Sequence, residues 1–68
     1  MNETTTRNEK LYKLRKKRGE TQAEVAESVG VSASAYCMYE TGERTPSRKV
    51  MMRLSEHFDR TVQFLFFS

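Results

Sequence analysis

The chain has 68 residues, with 12 lysines and arginines against nine aspartates and glutamates, one histidine and one cysteine. That length suits one domain with one small core, and a domain of this size buries only about 60% of its unfolded surface, so a partner subunit is an expected source of stability. Cys37 and His57 alone can assemble neither an internal disulfide nor a four-ligand zinc site, and the run Phe64–Phe67 falls far short of the roughly 20 apolar residues a membrane span needs.

At 37% apolar and 31% charged the composition fits a compact soluble protein. No early apolar stretch suggests a secretory signal, so a cytoplasmic location is expected. Charge is unevenly placed. Residues 1–18 carry seven cations against Glu3 and Glu9, whereas the other fifty residues hold seven acids against five cations. Such a local basic excess fits a phosphate-facing surface, and equally a solvated helix face.

Residues 1–7, MNETTTR, lack an apolar period and are expected to form a flexible arm, leaving 8–68 as the single folded domain. Asn8 is a good N-cap for a first helix over EKLYKLRKKR, with Leu11 and Leu14 on one side, cations at its C-terminal end, and Gly19 to close it. Thr21 and Glu24 form a capping-box pattern ahead of Val25, Ala26 and Val29, and Gly30 ends this second helix.

Only Val31 separates Gly30 from Ser32, the next N-cap, so the third helix follows a tight turn. Its inner face is predicted to hold Ala35, Tyr36, Tyr39 and Glu40, and its outer face Ala33, Ser34, Cys37 and Met38. Gly42 can supply a left-handed stop, and Pro46 keeps the loop non-helical until Ser47 caps a fourth helix from Arg48 to about Phe58. Thr61 caps a last short helix, in which Val62, Leu65 and Phe66 face one side and Phe64 and Phe67 the other. The fold class is all-α, with five short helices in a compact bundle.

The stretch LYKLRKKRGETQAEVAESVGVSASAYCMYETGERTPS, with the apolar helix and VQFLFF that follow, resembles the Cro and phage-repressor helix-turn-helix family, also called Xre. The resemblance covers residues 11–67 and rests on the joint spacing of Leu11, Leu14-Arg15, Gly19, Thr21-Gln22, Glu24 with Val25-Ala26, Gly30-Val31-Ser32, Glu40, Gly42 and Pro46-Ser47. It implies a lambda-repressor-like DNA-binding domain in which Arg15 pairs with Glu40 and ties the first helix to the end of the third. Ala26 would then lie where helices two and three cross closely, and Gly30 in a left-handed turn.

The resemblance also implies that the third helix enters the major groove with Ser32, Ala33, Ser34, Cys37 and Met38 facing base edges. Gln22 would hold a phosphate at the start of helix two, with Arg44, Ser47 and Arg48 clamping the backbone and Thr41 and Lys17 at the rim. Here the chain departs from the family habit, because no glutamine, arginine or lysine occupies the groove face. Two hydroxyls and three small or soft side chains leave recognition to thymine methyls, backbone contacts and DNA deformability. The bland alternative is that positions 33–38 are small solvent-facing residues.

Phe64, Leu65, Phe66 and Phe67 form more apolar surface than a small core can use, and they are expected to build a homodimer interface, with tucking against helices one and four as the alternative. A symmetric dimer implies a palindromic operator with recognition helices about 34 Å apart. The expected protein is thus a small dimeric repressor. A different reading, an antitoxin or protein-interaction module gripping a partner through the C-terminal aromatics, suits the weakly hydrogen-bonding groove face.

A chain of 68 residues leaves no room for a sensor domain, so an antagonist would be another protein. Tyr12, Tyr36 and Tyr39 fit core packing better than base stacking. Oxidation of Cys37 as a switch and a pH role for His57 are lesser possibilities beside a small apolar contact and a partly packed helix residue. No nucleophile, base and acid set and no glycine-rich phosphate loop is present, so neither an enzyme nor a small-molecule substrate or cofactor is expected.

Overall fold

In the computed structural model, which describes residues 7–67, α1 spans Glu9–Arg18, α2 Gln22–Val29, α3 Ala33–Thr41, α4 Arg48–Phe58 and α5 Val62–Phe66, with no strand among the described residues. Of the expected arm only Arg7 falls within them. Its guanidinium lies 4.0 Å from the centre of the Tyr12 ring.

Each helix begins where a side-chain oxygen takes a backbone N–H that would otherwise lack a partner. The acceptors are Asn8 for Leu11, Thr21 for Glu24, Ser32 for Ala35, Ser47 for Val50 and Thr61 for Phe64. At α2 the cap is reciprocal, since Glu24 Oε1 also accepts the Thr21 N–H at 2.8 Å. No helix among the described residues is long and apolar enough to cross a membrane.

Gly30 shows how a stop is specified. Its φ of +77° is left-handed, and a Cβ built there would sit 2.9 Å from Arg53 Nη1, which donates to the Val29 carbonyl. Asp59 ends α4 with φ +56°, a conformation that aspartate tolerates better than most non-glycine residues.

The inner faces of the helices meet in one core of Leu11, Val25, Ala26, Val29, Tyr36, Tyr39, Leu54, Phe58 and Leu65, with Leu14, Val31, Ala35, Val50 and Phe66 packed at its margin. Tyr36 and Tyr39 meet edge to face, with ring centres 6.3 Å apart. Both tyrosines are core residues.

The core also corrects the expected interface. Leu65 is 2% exposed inside this chain's own core and Phe66 is half-buried against it, because Thr61 starts α5 at a phase that turns both inward. Of the four residues expected there, Phe64, 40% exposed, and Phe67, 66% exposed, face outward.

Asn8 locks three elements together. Its side-chain oxygen caps α1, its Nδ2 donates to the Leu65 carbonyl at 2.9 Å, and its backbone N–H donates to the Glu40 carbonyl at 2.8 Å. Asn8→Asp keeps the cap and loses the bond to α5, whereas Asn8→Ala loses both. Alanine is therefore expected to cost about 1–2 kcal/mol and aspartate less, measurable as ordered drops in melting temperature.

Candidate nucleic-acid interface

The turn between α2 and α3 is built from three residues. Gly30 caps α2 with its N–H on the carbonyls of Ala26 and Glu27, the Val31 N–H donates to the Ala26 carbonyl at 3.0 Å, and extended Ser32 opens α3. α2 and α3 pack against each other more extensively than any other pair of helices.

That packing takes Tyr36, Tyr39 and Glu40 inward and leaves Ser32, Ala33, Ser34 and Thr41 exposed, with Cys37 and Met38 half-buried between the two sides. The outward face of α3 is consequently low and nearly uncharged. Ser32 Oγ accepts the Ala35 N–H, which leaves its own hydrogen to donate. The Thr41 hydroxyl is already engaged, donating to the Met38 carbonyl at 3.2 Å.

Exposed cations lie on the elements that adjoin α3. Arg44, Arg48 and Lys49 are exposed along the α3–α4 loop and the first turn of α4, and Lys16 and Lys17 are exposed at the end of α1. Ser47 Oγ is the cap of α4, accepting the Val50 N–H at 3.3 Å. Lys49 did not stand out in the sequence, although its place beside Arg48 at a helix start is the same signal.

Beneath the face lies a buried ion pair. Arg15 Nε donates to Glu40 Oε2 at 2.6 Å and Nη2 to Glu40 Oε1 at 3.2 Å, while Nη1 donates to the Glu20 carbonyl at 2.9 Å. Arg15 is 8% and Glu40 3% exposed. Burial pushes the Glu40 carboxyl upward, but hydrogen bonds from Arg15 prevail and hold it below its ordinary 4.5. The bond to Glu40 in turn raises Arg15. The Tyr36 hydroxyl is buried beside this pair outside regular hydrogen-bond geometry, and burial first, then its close approach to the Glu40 carboxylate, drives its pKa far upward.

Gln22 departs from the expectation of a free phosphate ligand. Its Nε2 donates to Glu40 Oε1 at 3.0 Å, so one of its two amide hydrogens is already committed. It lines a shallow concavity with Arg15, Lys16, Gly19, Glu20 and Thr21. Arg15, Glu40 and Gln22 therefore form one connected group at the junction of α1, α2 and α3.

A second cluster was not foreseen. Glu20 Oε1 lies 3.0 Å from His57 Nε2 and accepts from Arg18 Nε at 3.2 Å, joining the α1–α2 loop to the end of α4. Burial raises the Glu20 carboxyl, but the bonds to His57 and Arg18 outweigh it and hold it below 4.5.

Glu20 and Glu40 are both depressed in the folded state. Their contribution to stability is complete above the unfolded carboxylate value and is lost as pH falls through the lower folded values. Melting temperatures recorded from pH 7 downward should therefore hold until about the ordinary carboxylate value and then fall. A flat profile from pH 5 to pH 2 would contradict both clusters.

Among the described residues no three histidine, cysteine or acidic side chains are grouped to hold a metal. A family profile described as Helix-turn-helix matches residues 11–65, from α1 into α5. The chain is 35% identical over 57 residues to the uncharacterized HTH-type transcriptional regulator YqaE of Bacillus subtilis, covering 84% of this chain and 49% of that protein. It is 30% identical over 57 residues to the cryptic phage CTXphi transcriptional repressor RstR of Vibrio cholerae, covering 84% and 51%.

A crystal structure of a transcriptional regulator from Listeria innocua superposes with a TM-score of 0.80 at 26% identity, covering 90% of this chain and 57% of that one. The chain thus spans about half the length of these curated relatives. The five helices, the tight turn before α3 and a profile that runs through nearly all of them place the chain in the helix-turn-helix family, of the Xre type.

Proposed function

We propose that this chain is a sequence-specific regulator of transcription, a small dimeric repressor that lays α3 in the major groove of a palindromic double-stranded operator. The observation that carries this is the outward face of α3. Small side chains over Ser32, Ala33 and Ser34 let the helix backbone approach base edges closely, and exposed cations stand on the neighbouring elements, Arg44 and Arg48 after α3 in the chain and Lys16 and Lys17 at the end of α1, which packs on α3. Family members named as transcriptional regulators, one of them a phage repressor, support it. Helix-turn-helix regulators act by binding DNA and are not enzymes.

On this reading Cys37 and Met38 meet thymine methyls, Ser34 offers a hydrogen bond, and Gln22, Ser47, Arg44 and Arg48 clamp phosphates, with Thr41 and Lys17 at the rim. Much of the affinity is then electrostatic. Phe64 on α5 and Phe67 just after it, which face outward, suit a homodimer contact that sets two α3 helices one turn of DNA apart. The same two rings would serve a protein partner or antagonist, the competing interpretation for a module that does not read DNA.

Equilibrium binding to a duplex across a salt series tests the proposal. The logarithm of the association constant should fall linearly with the logarithm of salt, by about 0.9 for each phosphate neutralised, and a specific duplex should outcompete random DNA. Weak, sequence-indifferent binding by a folded dimer would favour the protein-partner interpretation.

A further inference from the structure

We propose that Glu40 is a positioning residue for DNA binding: one hydrogen bond from Gln22 to its carboxylate sets the Gln22 carboxamide so that the remaining amide hydrogen meets a phosphodiester oxygen at the start of α2. The proposal rests on Gln22 being a phosphate ligand.

The geometry begins with an immobile carboxylate. Glu40 is buried, and the Arg15 fork fixes both its oxygens through Nε at 2.6 Å and Nη2 at 3.2 Å. Arg15 is fixed in turn by Nη1 on the Glu20 carbonyl. Gln22 then closes a loop of contacts by donating to Glu40 Oε1 at 3.0 Å. The loop starts at Glu20 and returns at Gln22, on either side of Thr21, the N-cap of α2. The start of α2 is therefore pinned from inside the protein.

A primary amide carries two donors in one plane, and holding one fixes the direction of the other. The capping box takes the backbone N–H groups of Thr21 and Glu24, which leaves those of Gln22 and Ala23 without an intrahelical acceptor. Two backbone donors and the second amide hydrogen of Gln22 are then available together at the start of α2, where Gln22 lines the concavity beside Lys16.

A solvated glutamine must give up rotamer freedom to bind a phosphate, and one already held gives up less. Glu40 lies on α3, the helix that would meet the bases, so the phosphate clamp of α2 keeps a fixed register with base contacts. A merely structural Glu40 would need Arg15 alone. It would have no consequence for how Gln22 meets DNA.

The test is a double-substitution cycle on binding to an operator duplex selected from random sequence, using Gln22→Met, Glu40→Gln and the pair together. Methionine keeps the length of Gln22 without donors, and glutamine at position 40 keeps one acceptor. Gln22→Met should weaken binding about tenfold, as loss of a hydrogen bond to a charged oxygen does. Glu40→Gln should weaken it severalfold in the presence of Gln22 and scarcely at all when Gln22 is already methionine.

Additive losses would overturn the positioning role while leaving the phosphate contact of Gln22 standing. Unchanged binding by a folded Gln22→Met protein would overturn both. Should Glu40→Gln fail to fold, the side-chain amide resonances of Gln22 in the unsubstituted protein decide the matter. On adding the duplex, the amide hydrogen directed at Glu40 should keep its chemical shift while its geminal partner moves. Movement of both, or of neither, would overturn the proposal.

Discussion

Glu40→Ala is expected to destabilise the fold by about 3–5 kcal/mol, the usual cost of stripping one member from a buried ion pair. The loss has three sources. Arg15, 8% exposed, would keep its charge with the Glu20 carbonyl and the face of the Tyr12 ring, 5.5 Å away, but no carboxylate to meet it. Gln22 would lose its acceptor, and the cavity left at position 40 would open beside the buried Tyr36 hydroxyl. Domains are commonly stable by only about 5–15 kcal/mol, and one of this size sits near the lower end. The variant should thus be largely unfolded at growth temperature.

Replacing Arg15 and Glu40 together by methionine should cost less than Glu40→Ala alone, because no buried charge is then stranded. Urea denaturation followed by circular dichroism would measure both. An alanine variant that melts within about 1 kcal/mol of the parent would show that the pair contributes little.

Ser34→Glu is expected to leave folding unchanged and to weaken DNA binding by tenfold or more. Ser34 is exposed on α3, and the new carboxylate would gain no buried partner and lose none. Facing the groove, it would confront the negative field of both strands, and like charges brought together at an interface cost several kcal/mol. Ala33→Glu should behave alike. Anisotropy titrations with matched melting curves would separate binding from folding. Undiminished affinity in both variants would mean that α3 does not enter the groove.

The helices were legible because their signals are local. Asn8, Thr21, Ser32, Ser47 and Thr61 each cap a backbone group three residues away, and the apolar spacing that follows turns Leu11, Val25, Tyr36, Leu54 and Leu65 inward. The Arg15–Glu40 contact was accessible only through family resemblance, since nothing within either helix points to a partner 25 residues away.

Contacts between polar side chains distant in sequence were not legible at all. Gln22 with Glu40, Glu20 with His57, and Asn8 with the Leu65 carbonyl depend on where helices cross and on side-chain reach, neither of which a periodic pattern records. The apolar surplus of α5 and its division into two faces were visible, but the interface expected from it was drawn too wide. Leu65 and Phe66 are spent on the chain's own core, and the outward surface narrows to Phe64 and Phe67.

As proposed, α3 reads a duplex although its outward face lacks long polar side chains. The most direct test is selection of bound duplexes from a random library at near-physiological salt, followed by sequencing. Enrichment of two inverted half-sites about one helical turn apart is expected, with thymine favoured where Ala33, Cys37 and Met38 approach. A folded protein that enriches no sequence over the starting library would contradict it.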